Sequence, residues 1–170
     1  VTTIGDRAFY DMPSGIGKEF YIPDNVTTFG KEAFAASAYL DSVRMPQKLT
    51  KMGEGVFAAC LQMHFLEIPD SLTEIPDEAF VNCWGYGSAR DYSVEQCIGK
   101  NVTKIGKSAF AGCWNMGGTW GDGRLPEKLE SIGEGAFQYC YKIKSLEIPA
   151  GVTVIPDRTF QGCERLESIQ

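Results

Sequence analysis

The residues of this chain that could carry chemistry are six cysteines and one histidine. Cys60, Cys83, Cys113, Cys140 and Cys163 follow one another at intervals of 23, 30, 27 and 23 residues, and Cys97 stands outside that series. Thiols and an imidazole could hold zinc, form disulfides or make a nucleophile and its base, but each use demands its own spacing. Zinc sites set cysteines a few residues apart, with a second Cys or His pair further on. Here no Cys-x-x-Cys occurs and His64 is the sole histidine. As the only candidate base for a Ser-His-Asp or Cys-His site, His64 has no motif around it. Acidic residues such as Asp77, Glu78 and Glu164 recur at the same period, which gives a glycosidase-like carboxylate pair no support. Asn25-Val26-Thr27 and Asn101-Val102-Thr103 match the glycosylation acceptor pattern, yet they also fit a repeat and read as turn residues. Five cysteines spaced by a repeat are positioned by the fold. They are expected to be a buried column of free thiols packing as small hydrophobes, since in-register side chains of parallel coils seldom reach a disulfide dihedral. Cys97 is expected to face outward as the most reactive thiol of the six, unless the irregular segment around it hides it.

The elements that position these residues are repeats. One nine-residue phrase occurs seven times: VTTIGDRAF (1–9), VTTFGKEAF (26–34), LTKMGEGVF (49–57), LTEIPDEAF (72–80), VTKIGKSAF (102–110), LESIGEGAF (129–137) and VTVIPDRTF (152–160). Its closing phenylalanines, from Phe9 to Phe160, are separated by 25, 23, 23, 30, 27 and 23 residues, so the basic unit is 23 residues. Eleven residues before six of them stand Pro23, Pro46, Pro69, Gly99, Pro126 and Pro149, and three residues after them stand the five cysteines, with Met12 and Ser37 as exceptions. Every length change falls between the cysteine position and the next proline position.

Each unit divides by pattern. The tract before the proline alternates, as in KSLEIP (144–149), with residues one and three places before it facing inward and the others outward. That is a short strand, ended by a proline that has no N–H for a ladder and followed by turn residues. Val or Leu, then Ile, Ala and Phe continue the inward set, and Gly5, Gly30, Gly53, Gly106 and Gly133, with Pro76 and Pro156, interrupt any regular element in mid-repeat. A short helical turn is expected at Ala-Phe-x-x-Cys. No unit buries its apolar face alone, but stacked coils place Ile on Ile and Phe on Phe. The fold class expected is a right-handed α/β repeat solenoid, with short parallel strands on one face and turns or short helices on the other. The deepest residues should include Ile68, Ile148, Phe80 and Phe137.

The run CYKIKSLEIPAGVTVIPDRTF from Cys140 to Phe160 resembles the BspA-type leucine-rich repeat, and the resemblance covers essentially all 170 residues. Departures are Gly99 for proline, Glu130 for threonine, and the insertions at 84–98 and 114–125. The resemblance implies a non-enzymatic module without cofactor or metal, on a cell surface or secreted, that acts in adhesion and binds protein or another extracellular polymer, such as a host matrix or cell-surface protein. The alternative is a passive spacer that holds another domain away from a cell envelope.

Composition bounds the same choice. With 44% apolar and 12% aromatic residues the chain can bury a sizeable core, while a net charge of −6 argues against nucleic acid and anionic membranes as partners. No apolar run approaches the roughly 18 residues of a membrane span, so no membrane insertion is expected. Residues 1–170 read as one solenoid segment of about seven repeats. Because the chain starts with Val1 in mid-repeat and stops at Gln170 short of the next Ile-Pro, it is expected to be part of a longer protein, and end-to-end self-association of the piece is expected too.

Two surfaces are free to vary. Two places before the proline position stand Tyr21, Arg44, Glu67, Cys97, Arg124, Glu147 and Gln170. They read either as a solvated face with weak Arg44–Glu67 and Arg124–Glu147 cross-strand pairs, or as a mixed-charge recognition stripe anchored by Tyr21 and by Phe65 from the row beside it. The inserted segments 84–96 and 114–123 concentrate Trp84, Tyr86, Tyr92, Trp114 and Trp120 among glycines. They read as an adaptable binding surface or as a satellite cluster covering the solenoid flank.

Overall fold

The computed structural model describes residues 1–14, 19–64, 67–85, 94–117 and 122–170. The chain winds as a parallel β-solenoid in which each coil contributes at most two very short strands. The strands before the proline position are β2 (Glu19–Tyr21), β4 (Ser42–Arg44), β7 (Asp122–Arg124), β9 (Ser145–Glu147) and β10 (Ser168–Ile169); those in the nine-residue phrase are β1 (Thr3–Ile4), β3 (Thr28–Phe29), β5 (Glu74–Ile75), β6 (Lys104–Ile105) and β8 (Ser131–Ile132). The named strands pair in parallel, in ladders β2–β4, β7–β9–β10, β1–β3 and β5–β6–β8, and residues of like position are in register: Tyr21 beside Arg44, Ile75 beside Ile105 and Ile105 beside Ile132. Among the described residues no helix is long and apolar enough to cross a membrane.

The core is a set of columns. The seven repeat phenylalanines stack face to face without interruption, with ring centroids 5.3, 5.1, 5.6, 5.3, 5.7 and 5.7 Å apart and planes within 13° of parallel. Phe34, Phe57, Phe80, Phe110 and Phe137 are fully buried. Phe9 is 36% exposed and Ile148, expected among the deepest residues, is only partly buried, because each has a coil packed on one side of it alone. Ile68 is buried as expected.

The far side is built from turns, where a helical turn was expected at Ala-Phe-x-x-Cys. The residues two before and two after every repeat phenylalanine have positive φ: Arg7 and Asp11 in the first coil, Glu32 and Ala36 in the second, and so on to Arg158 and Gly162. Ten of these fourteen are not glycine, and each L-residue held there costs about 1–2 kcal/mol. What offsets the cost is a comb of bonds to the next coil. Phe9 N–H donates to the Ala33 carbonyl (2.7 Å), with Arg7 donating to Lys31 and Asp11 to Ala35 (2.9 Å each). The same three donors recur at every later junction, ending with Gly135 to Asp157, Phe137 to Thr159 and Tyr139 to Gln161. A helix would turn these N–H groups along its own axis and leave the neighbouring coil's carbonyls without donors.

Helix occurs once among the described residues, as the single turn α1 (Val94–Ile98), in the longest insertion and where the pattern called for a strand. Gly99 ends it: its N–H donates to the Glu95 carbonyl (2.9 Å), its φ is +96°, and a Cβ there would lie 2.7 Å from Cγ2 of Ile68. Proline, the residue at this place in other coils, has neither that N–H nor that φ. Val94 fills the space above Gly123 of β7, where a Cβ would meet it at 3.0 Å.

Candidate binding surface

The thiols are structural. Sγ of Cys60, Cys83, Cys113, Cys140 and Cys163 donates to the carbonyl of the phenylalanine one coil earlier, at 3.0–3.2 Å. Ser37 takes the same place, donating to Phe9 O and accepting from Met12 N–H, both at 3.1 Å. Burial pushes the Cys60 thiol up to about 12 and holds those of Cys83, Cys113 and Cys140 well above the usual thiol range, so none supplies a thiolate near neutrality. Cys97 corrects the expectation of an outward, reactive thiol. The α1 turn carries it inward to full burial, which pushes it to about 12 as well.

His64 shares a hydrogen bond with Asp41, the residue at the equivalent place one coil earlier, and both are partly exposed. Asn101 behaves as a turn bridge: its Nδ2 donates to the Asp70 carbonyl (3.0 Å) and its Oδ1 accepts from Lys128 Nζ (2.7 Å). Among the described residues no group of three or more His, Cys, Asp or Glu is placed to hold a metal ion.

On the strand face, β7 and β9 bring Arg124 beside Glu147, with a 3.1 Å contact between guanidinium and carboxylate; Glu127 approaches the same guanidinium at 3.9 Å. All three side chains are more than half exposed, so the pairs add little stability. The expected Arg44–Glu67 pair is not made. Glu67 lies in no strand, and Arg44 instead sits over the ring of Tyr21, 5.2 Å from its centroid, in the register set by β2 and β4. Tyr21 remains 54% exposed. A hollow of about 370 Å³ opens on the same face beside α1, lined by Glu95, Arg124, Ser145, Glu147 and Gln170.

On the flank, Trp84 and Trp114 stack at 4.7 Å with planes 7° apart, and Tyr141 leans on Trp114 at 5.7 Å. Asn115 Nδ2 ties the two coils by donating to the Trp84 carbonyl (2.7 Å). The tryptophans therefore pack on one another as a satellite cluster, yet stay 39% and 40% exposed. Tyr139, 42% exposed, extends the group. Tyr139 and Tyr141 were not singled out from sequence because their coil has no insertion beside them. The available signal was positional: Tyr141 follows Phe137 by four residues, as Trp84 follows Phe80 and Trp114 follows Phe110. Phe65, Tyr86, Tyr92 and Trp120 lie outside the described residues.

The family described as BspA type leucine rich repeat region matches residues 1–86 and 93–170 in six copies. Solved structures share the fold, three of them as follows. A T. pallidum leucine rich repeat protein is 24% identical (TM-score 0.60), covering 99% of this chain and 62% of its own. A leucine-rich repeat protein from Bacteroides ovatus is 22% identical (TM-score 0.67), covering 89% and 45%. The pneumococcal vaccine antigen PcpA is 17% identical (TM-score 0.55), covering 99% and 56%. The chain thus spans between 45% and 62% of these proteins' lengths. No curated protein matches it.

Proposed function

Because this chain belongs to the BspA-type leucine-rich-repeat family, we propose that it is a protein-binding module of a cell-surface or secreted protein, recognising its partner along the outward strand row and the aromatic flank. The observation that supports this is the division of labour in each coil. Inward positions are consumed by the columns, and the turn positions by the comb of backbone bonds. The residues left to differ in type stand exposed: Tyr21 and Arg44 side by side on one ladder, Arg124 and Glu147 on another, Glu67 at the like position of a coil between them, and Trp84, Trp114 and Tyr139 on one flank. Exposed aromatic and arginine side chains are the groups that dominate interface energetics. The mutual packing of the tryptophans would suit a passive spacer, but a spacer has no need of two indoles about 40% in solvent.

The test is binding of the folded chain to a panel of extracellular-matrix and cell-surface proteins by a surface-capture assay. One variant carries Tyr21→Ala, Arg44→Ala and Arg124→Ala; another carries Trp84→Ala and Trp114→Ala; both must retain the parent's circular dichroism. Loss of binding by at least about tenfold in one variant is expected, the size that one or two interface anchors supply. Equal binding by parent and both variants would place the site elsewhere, and no binding by the parent would leave the spacer reading.

A further inference from the structure

We infer that the solenoid has a built-in joint between the coil of Phe57 and the coil of Phe80, pinned on the turn side and opened along the phrase strands by Pro76. Four residues before the repeat phenylalanine, most coils carry glycine, and the structure shows why. A Cβ on Gly30, Gly53, Gly106 or Gly133 would lie 2.4 Å from backbone atoms of the coil before it. Gly30, Gly106 and Gly133 also donate their N–H to the carbonyls of Ile4, Ile75 and Ile105, each at 2.8 Å, which holds the phrase strands together. Pro76 has a ring where there is no room for a Cβ, and it has no N–H to give. The coil has to lift at that place.

The ladder records the consequence. β1 pairs with β3, Thr28 bridges to Lys51, and pairing then stops until β5 begins a new ladder with β6 and β8. Thr27, Thr50, Thr103 and Glu130 each donate an N–H to the residue of like position one coil earlier, at 2.8–2.9 Å. Among the described residues no such bond joins Thr73 to Thr50. A cavity of about 250 Å³ occupies the gap, lined by Thr50, Lys51, Met52, Thr73, Glu74 and Pro76. Pro156 repeats the experiment within the same molecule: Val154 and Ile155, which precede it, form no strand.

Everything on the turn side of the junction stays closed. Gly55, Phe57 and Ala59 donate to Asp77, Ala79 and Val81 at 2.8–3.0 Å, Phe57 and Phe80 stack at 5.6 Å, and Cys83 bonds the Phe57 carbonyl. The Ser71 hydroxyl, whose single proton is shared between Leu49 O (2.6 Å) and Gln47 O (3.0 Å), closes the near lip. With the turn-side bonds kept and the phrase-strand bonds missing, the junction is free to bend about its turn side. Tyr21 and Arg44 ride on one side of it and Arg124 and Glu147 on the other, so bending changes the angle between the two halves of the outward row. This holds whether or not that row binds a partner.

The test is amide hydrogen exchange by NMR on the whole chain, in the parent and in Pro76→Gly, a residue this position already accepts in other coils. In the parent, the Thr73 amide is expected to exchange at least tenfold faster than those of Thr50, Thr103 and Glu130. In Pro76→Gly it should slow to their level. Residual dipolar couplings provide the second readout: residues 19–64 and 94–149, which stop short of Pro156, should need alignment tensors of different magnitude in the parent and a common one in the variant. Parent Thr73 protection equal to that of Thr50 would overturn the joint, as would one tensor fitting both halves of the parent or an unchanged Thr73 in the variant.

Discussion

The thiol of Cys83 donates a 3.0 Å hydrogen bond to the carbonyl oxygen of Phe57, one coil earlier, and the same contact recurs along the whole cysteine column. Ser37 shows that a hydroxyl can make it too. Cys83→Ser should therefore keep most of the parent's stability, whereas Cys83→Ala loses both the bond, about 1 kcal/mol, and the packing of the sulfur. Urea denaturation of the two variants would measure the difference; equal midpoints would mean that the bond contributes nothing.

Burial sets a pH dependence with a definite sign. Cys60 and Cys97 are pushed to about 12 in the folded chain, against 9.0 for an unperturbed thiol, so the unfolded chain loses these protons first. The stability tied to them is fully present below pH 9 and is lost as pH rises from 9 toward 12, by up to about 1.4 kcal/mol per pH unit for each thiol. Cys60→Ser removes one titrating group and keeps a donor. Its denaturation midpoint should fall less steeply between pH 8 and pH 10.5 than the parent's, and identical slopes would refute the assignment.

Phe80 lies between Phe57 and Phe110 with both ring faces covered, at 5.6 and 5.3 Å. Phe80→Ala is expected to cost about 3–5 kcal/mol, read as a large fall in melting temperature. A variant that melts with the parent would contradict the stacked core.

Backbone conformation gives two opposite expectations. A Cβ at Gly106 would sit 2.4 Å from the Asp77 nitrogen, so Gly106→Ala should destabilise by about 2 kcal/mol or more. Ala59 has φ of 57°, and Ala59→Gly should relieve that strain and stabilise by about 0.5–1 kcal/mol. Denaturant midpoints moving the same way for both would defeat the turn assignment.

Much of this was legible from spacing. The phenylalanine and cysteine columns, the inward set and the exposed Tyr21, Arg44, Arg124 and Glu147 follow from a period that only a stack of coils satisfies, because a side chain at a repeating position meets its own counterpart. Arg124 and Glu147 meet as their register requires. Arg44 does not meet Glu67, which lies in no strand, and sits over Tyr21 instead, a choice that register alone does not make.

The sequence by itself determined the coil length, the residues that line the core and the edge that takes insertions, since hydrophobic burial repeated every 23 residues admits one arrangement of inward faces. The tertiary structure alone decided the conformation of segments whose local alternatives lie close in energy. The Ala-Phe-x-x-Cys run became turns, each with one residue of positive φ two places after the phenylalanine, because the next coil offers carbonyls at its N–H groups. Residues 94–98 became a helical turn that draws Cys97 inward, because Gly99 could close it against Ile68. Pro76 became an opening because glycine above and below it had set a spacing too close for its ring. In each case the deciding partner lies a full coil or more away along the chain, where spacing names the neighbour and only the packed structure shows the contact.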